Sequence, residues 1–191
     1  MFMKYGLLSF IVTIGLSNTS ASQEALTLNI EEESNYLNWN SAEGRTYFIQ
    51  WSDDLKTWQF LPIIVSGNGN PTLYEIQLSQ NDRFFRLFYT DQETDDPYND
   101  DFDGDGISNF DEIRDGGTST NPLAFASDPS GVSDFDLDRD GDGLSNGLEL
   151  LFATSLTNPD SDSDGLIDGN EILLNRNPHL RDHPAVLLRV N

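Results

Sequence analysis

One acidic string occurs three times in the second half of this 191-residue chain. It reads DFDGDGISNFDE from Asp101 to Glu112, DRDGDGLSNGLE from Asp138 to Glu149, and DSDSDGLIDGNE from Asp160 to Glu171. Each copy has Asp at positions 1, 3 and 5, Gly at 6 and an aliphatic residue at 7, then Asn or Asp at 9 and Glu at 12. Repetition this close describes one structural unit used several times. Like charges packed this densely repel, so a folded version needs a counter-charge in its middle.

A hard dication supplies it. Ca²⁺ takes six to eight oxygens at about 2.3–2.6 Å. Carboxylates at alternate positions of a tight loop converge on one point, and Gly at 6 permits the turn that a side chain would obstruct. The candidate ligands of the first loop are Asp101, Asp103, Asp105, Ile107, Asn109 and Glu112. Those of the second are Asp138, Asp140, Asp142, Leu144, Asn146 and Glu149. Those of the third are Asp160, Asp162, Asp164, Leu166, Asp168 and Glu171. Ile107, Leu144 and Leu166 would contribute backbone carbonyls, leaving their side chains free to pack inward. The terminal Glu is long enough to close the far side with both oxygens. A disordered acidic tail is the competing reading. It needs neither a glycine at a fixed place nor an aliphatic residue at one position three times. Mg²⁺ fits less well, because it demands six-fold geometry and keeps its waters.

Charge divides the chain near residue 91. Residues 1–90 hold 9 acids and 5 bases, a net of −4, and residues 91–191 hold 24 acids and 5 bases, a net of −19. The total of −23 argues against nucleic acid or an anionic membrane surface as a partner and favours cations. Cysteine is absent, which removes disulfides, thiolate metal sites and thiol catalysis.

The N-terminus has the form of an export signal. MFMK gives a short basic start, Gly6 to Leu16 forms an apolar core, and SNTSAS supplies small residues for cleavage after Ala21 or Ser22. The core is too short to span a bilayer comfortably. A buried helix of the first domain is the alternative; the polar, small-residue tail and the abrupt change to strand-like sequence weigh against it. The expectation is a secreted, extracellular or periplasmic protein without a transmembrane anchor.

From Leu26 the pattern has period two in short pieces: LTLNI, YLNWN, TYFIQWS, TWQFLPIIV, TLYEIQL and RFFRLFY, separated by turn residues. That predicts a small antiparallel sandwich or barrel. Tyr47, Ile49 and Trp51 fall on one face of a strand, and Phe85, Leu87 and Tyr89 on one face of another. GRTYFIQWSDDLKTWQFL followed by RFFRLFY resembles a small fibronectin type III-like module of exported bacterial proteins. Trp39, Trp51 and Trp58 have two readings, as core residues or as platforms for sugar rings.

The acidic loops are similar to EF-hand and dockerin calcium loops but depart from them. Those carry their aliphatic residue at position 8, where this chain has Ser108 and Ser145. The loops more closely resemble thrombospondin type 3 repeats in their bacterial form: an Asp-rich loop, a short apolar stretch, then Thr-x-Pro. GLELLFATSLTNP and DEIRDGGTSTNP fit that continuation, and NEILLNRNP fits it in shortened form. Animal versions carry cysteine pairs, absent here, so the resemblance implies that stability leans harder on the metal. Members often coordinate additional ions through neighbouring aspartates. Asn99, Asp134 and Asp136 extend the alternation here, which allows more than three.

Gly143 to Gly147 reads GLSNG and matches a nucleophile elbow. The elbow needs a buried strand before it, and DLDRDGD before Ser145 is no such strand. A two-carboxylate glycosidase site needs a sheltered cleft, and neither half is large enough for a deep one. His179 and His183 read as surface loop histidines rather than ligands. The chain is therefore expected not to be an enzyme.

The expected order is a signal peptide at 1–22, a fibronectin type III-like β domain at 23–90, a linker at 91–98, calcium-binding repeats at 99–182 and a tail at 183–191. The expected fold is a mainly β N-terminal sandwich followed by a loop-rich, short-helix, calcium-binding segment. Its expected role is a calcium-stiffened spacer or adhesion module binding an extracellular protein or glycan. The alternatives are a carbohydrate-binding β domain displayed by the repeats, or an accessory subunit of a secreted hydrolase. Leu148, Leu151 and Phe152 are expected to share a small core with Ile172 and Leu173, joining loops two and three rigidly. Loop one, on its longer connection, is expected to be looser, and the β domain indifferent to the cation.

Overall fold

The computed structural model of the chain describes residues 27–30, 35–76, 84–114 and 117–181. The expected signal peptide, His183 and the tail lie outside the described residues. The described chain is mainly β, with two antiparallel sheets and short helices. Strands β1 (Thr27–Ile30), β2 (Asn35–Asn40) and β5 (Pro71–Ile76) form one sheet in the order β1-β2-β5. Strands β4 (Gln59–Ser66), β3 (Thr46–Ser52) and β6 (Phe84–Thr90) form the other in the order β4-β3-β6.

Alternation does what the period-two pattern dictates. Leu37 and Trp39 of β2 and Ile76 of β5 meet Tyr47 and Ile49 of β3 and Phe85, Leu87 and Tyr89 of β6 in one core between the sheets. Trp39 is 2% exposed there, so it is a core residue and not a sugar platform. The Tyr47 hydroxyl accepts from the Ala42 N–H at 2.8 Å and so keeps its polar end satisfied.

The other face of the β4-β3-β6 sheet is covered too. Phe48, Ile64 and Phe88 form a second core with Phe102 and Ile113, with Phe60 and Leu123 packed at its margin. Phe102 belongs to the first acidic loop, and its ring meets Phe48 edge-on at 6.2 Å. The Tyr98 hydroxyl bonds to both the N–H and the carbonyl of Ile64, each at 3.2 Å. The Gln92 amide donates to the Phe102 carbonyl at 2.9 Å. The first loop is therefore seated on the sheet. Phe48, on the face opposite Tyr47 and Ile49, is covered in this way.

Beyond β6, regular structure among the described residues is confined to three short helices: α1 (Asn109–Ile113), α2 (Asn146–Phe152) and α3 (Asp168–Leu173). The shared core expected between α2 and α3 does not form. Leu151 is 74% and Leu173 83% exposed, and Leu148 and Phe152 are also on the surface. Helices this short cannot bury an apolar stripe, so polar contacts carry the packing instead. No helix among the described residues is long and apolar enough to cross a membrane.

Candidate metal centre

The three acidic loops share one hydrogen-bond scheme. The carboxylate at position 1 bridges two backbone N–H groups across the turn. Asp101 accepts from Gly104 and Gly106 at 2.7 and 2.9 Å, and Asp138 accepts from Gly141 and Gly143 at 2.8 and 3.0 Å. Asp160 accepts from Asp164 and Gly165 at 3.2 and 2.9 Å. At position 3, Asp103, Asp140 and Asp162 each accept the N–H two residues on. At position 5, Asp105, Asp142 and Asp164 do the same for Ile107, Leu144 and Leu166. Each carboxylate thus spends one oxygen or both on folding its loop.

Two backbone positions need a positive φ. Gly106, Gly143 and Gly165 at position 6 have φ of 102°, 98° and 98°. Position 4 is also left-handed: Gly104 at 78°, Gly141 at 80°, but Ser163 at 61°. A non-glycine residue there costs roughly 1–2 kcal/mol, so the third loop carries strain the other two avoid.

Position 8 begins each helix. Ser108 caps α1 by accepting the Asp111 N–H at 3.1 Å, and Ser145 caps α2 by accepting from Leu148 at 3.4 Å. This explains the serines that set these loops apart from EF-hand loops. Ile167 opens α3 with no side-chain cap. One helical turn on, Glu112, Glu149 and Glu171 point inward and are fully buried.

Carboxylate oxygens converge in each loop. One oxygen from each of Asp101, Asp103 and Asp105 lies within 4.8 Å of the others, and the same holds for Asp138, Asp140 and Asp142, and for Asp160, Asp162 and Asp164. Oδ2 of Asp103, Asp105, Asp140 and Asp162, Oε2 of Glu112 and both oxygens of Glu149 are buried without a hydrogen-bond partner. Burial, reinforced by the Asp103 carboxylate, pushes the Glu112 carboxyl up to about 9. Burial with Asp140 and Asp142 pushes Glu149 up to about 8. Burial raises Asp103 to about 6. Buried acceptors without donors are expensive, and a hard cation among them removes both the desolvation and the repulsion. The clustered carboxylate oxygens could hold a metal ion.

Position 9 is placed differently from the acids around it. Asn109 accepts from the Phe102 N–H and donates to the Pro97 carbonyl, so its amide braces the loop. Asn146 donates to the Asp134 carbonyl at 2.8 Å. Asp168 accepts from the backbone and hydroxyl of Ser161 at 2.9 and 2.6 Å.

Between loops one and two lies a fourth unit, built around the Asp134 and Asp136 that extend the acidic alternation. Residues 126–137, ASDPSGVSDFDL, follow the same scheme. Asp128 accepts the Ser130 N–H at 2.8 Å, as position 3 does elsewhere. Gly131 has a φ of 76° and Ser133 caps through the Asp136 N–H at 3.1 Å. Asp134 accepts from the Ser127 N–H as Asp168 does from Ser161. Ala126, Ser130 and Leu137 stand where the other loops carry Asp, Asp and Glu. The signal was the pair Gly131 and Asp134, matching Gly165 and Asp168.

This unit serves its neighbour. An oxygen of Asp134, fully buried, lies within 4.8 Å of oxygens of Asp105 and Glu112. The Phe135 N–H bonds to the Asp105 carboxylate, just as the Gly169 N–H donates to Asp142 at 3.0 Å. Loop one thus leans on unit 126–137 as loop two leans on loop three. Thr118, Thr120, Ser133 and Asp134 are buried in this first connection, while residues 127–132 are exposed.

Ser145, in the elbow-like GLSNG, is spent as the N-cap of α2, and His179 contacts the Phe152 carbonyl at 3.0 Å through Nε2. Compared with protein-family models, curated proteins and solved structures, the chain matches none.

Proposed function

We propose that this chain is an exported calcium-binding protein, non-enzymatic, whose acidic loops fold around the ion and stiffen a spacer or interaction module. The observation that carries the reading is Glu149: fully buried, with both carboxylate oxygens unpartnered and near enough to Asp140, Asp142 and Asp138 to be repelled by them. Such a group in an aqueous protein calls for a cation. In loop one Glu112 is also fully buried, with Oε2 unpartnered, Oε1 held by Thr120, and an oxygen within 4.8 Å of oxygens of Asp105 and Asp134. Three dications would add six charges and bring residues 91–191 from −19 to −13.

The likeness of the loops to bacterial thrombospondin type 3 repeats supports the same reading, as does the signal-like N-terminus. Calcium-binding modules working outside the cell have dissociation constants of roughly 10⁻⁴–10⁻³ M, set by the high ambient level. Calorimetric titration of the chelated chain with Ca²⁺, followed in parallel by circular dichroism, tests it. At least three ions should bind in or somewhat tighter than that range, with a gain of ordered structure in residues 91–181. A flat titration would end the reading.

A further inference from the structure

A cleft of about 250 Å³ lies on the seam between the sheet and the turn that follows α1. Its sheet side presents Trp58, Gln59 and Gln50, and its far wall presents Thr120, Asn121 and Arg114. This is just below the roughly 300–1,000 Å³ of ordinary ligand pockets and leaves room for one ring-sized ligand at most.

The chemistry of the lining narrows the ligand. The formal charges are engaged or withdrawn: Arg114 pairs with Asp111 at 2.6 Å, Glu112, which also lines the cleft, is fully buried and accepts from Thr120, and Arg86 donates to Gln50 Oε1 at 2.6 Å. The Arg86 guanidinium also lies 4.1 Å from the centre of the Trp58 ring and fixes the indole in place. What remains for a ligand is neutral and bidirectional. The Gln59 amide and the NH₂ groups of Gln50 and Asn121 have no hydrogen-bond partner among the described residues. Trp58 is half-buried and adds an apolar face. A net charge of −23 works against phosphorylated or carboxylated ligands. A purely apolar ligand would strand the amides.

We infer that this cleft binds a neutral saccharide unit, with Trp58 stacking on its ring and the Gln50, Gln59 and Asn121 amides reading its hydroxyls. Trp58 is thereby separated from Trp39, which the core claims. The far wall is tied to the first acidic loop, because the Thr120 hydroxyl donates to Glu112 Oε1 at 3.1 Å. Calcium in loop one would fix Glu112 and, through Thr120, hold that wall against the sheet. This second half of the inference rests on the calcium reading; the cleft and its lining do not.

The test uses the full chain and a panel of neutral oligosaccharides built from glucose, galactose, mannose, xylose and N-acetylglucosamine, followed by tryptophan fluorescence and calorimetry. At least one should bind in millimolar calcium. Trp58→Ala should weaken it roughly tenfold or more, the scale of a lost aromatic stack, while the calcium titration stays unchanged and certifies the fold. Gln59→Ala should weaken it less, again with calcium binding intact. Chelation should weaken the wild-type interaction as well. Failure of every panel member, or binding that survives both substitutions, overturns the site. Sugar affinity that ignores chelation in a chain shown to bind calcium overturns the coupling. A chain that binds sugar through Trp58 but takes no calcium would sink the calcium reading and leave the cleft standing.

Discussion

Asp142 and Gly169 join two acidic loops: the Gly169 N–H donates to the Asp142 carboxylate at 3.0 Å, across 27 residues of chain. The approach is close because position 169 has no side chain. A Cβ there would meet the Asp142 carbonyl oxygen at 2.3 Å. Gly169→Ala should therefore push loop three off loop two, at a cost of roughly 1–3 kcal/mol. Calorimetry should show calcium binding weakened in both loops and unchanged in loop one. Loss confined to loop three would mean that the two loops act independently.

Glu149→Gln should have opposite effects with and without the ion. In calcium it removes a ligand charge, and affinity in loop two should fall at least tenfold. In chelator it relieves a buried carboxylate whose pKa is pushed up to about 8, first by burial and then by Asp140 and Asp142. The chelated variant should then unfold at a higher temperature than the chelated wild type at neutral pH. Thermal unfolding of both proteins in both buffers checks the crossing.

The same carboxylates set the pH dependence of the metal-free protein. Glu112 rises from 4.5 to about 9 and Glu149 from 4.5 to about 8, with burial the leading cause for each. A raised pKa means that the folded state holds the proton more tightly than the unfolded chain does. The resulting stability is complete below the unfolded value and is lost as pH climbs through the folded one. In chelator, residues 91–181 should resist protease better at about pH 5 than at about pH 8. Saturating calcium should reverse the order, since protons compete with the ion for the same oxygens.

Ser163 occupies the left-handed position that glycine fills in the other two loops, at φ 61°. Ser163→Gly should release roughly 1 kcal/mol of strain and tighten calcium binding in loop three. Ser108→Gly should do the reverse in loop one, because Ser108 caps α1. A melting temperature that falls with Ser163→Gly would show that the serine is held by more than its backbone.

Phe102 couples the first loop to the sheet through Phe48. Phe102→Ala should cost about 3–5 kcal/mol and weaken calcium binding in loop one, with loops two and three spared. In the wild type, chelation should alter the near-ultraviolet aromatic signal of the sheet. An unchanged signal would mean that the loop holds its seat without the ion.

Much of this was legible in the chain. Period-two alternation placed Tyr47, Ile49, Phe85, Leu87 and Tyr89 in one core, because a strand has only two faces and that one was apolar. Fixed spacing also located the three acid triads that the loops bring together, since a short loop of Asp and Gly has few ways to fold back on itself. Three things needed the tertiary structure. Phe48 and Phe102 lie more than fifty residues apart, and nothing local says that the second face of a sheet will be covered by an acidic loop. Leu151 and Leu173 read as core but face solvent, because helices of two turns or fewer leave no room for an apolar stripe. Asp134 sits in a unit whose own carboxylates are mostly gone. Its place beside Asp105 and Glu112 comes from the stacking of one loop on the next, a contact between backbones that side-chain identity does not record.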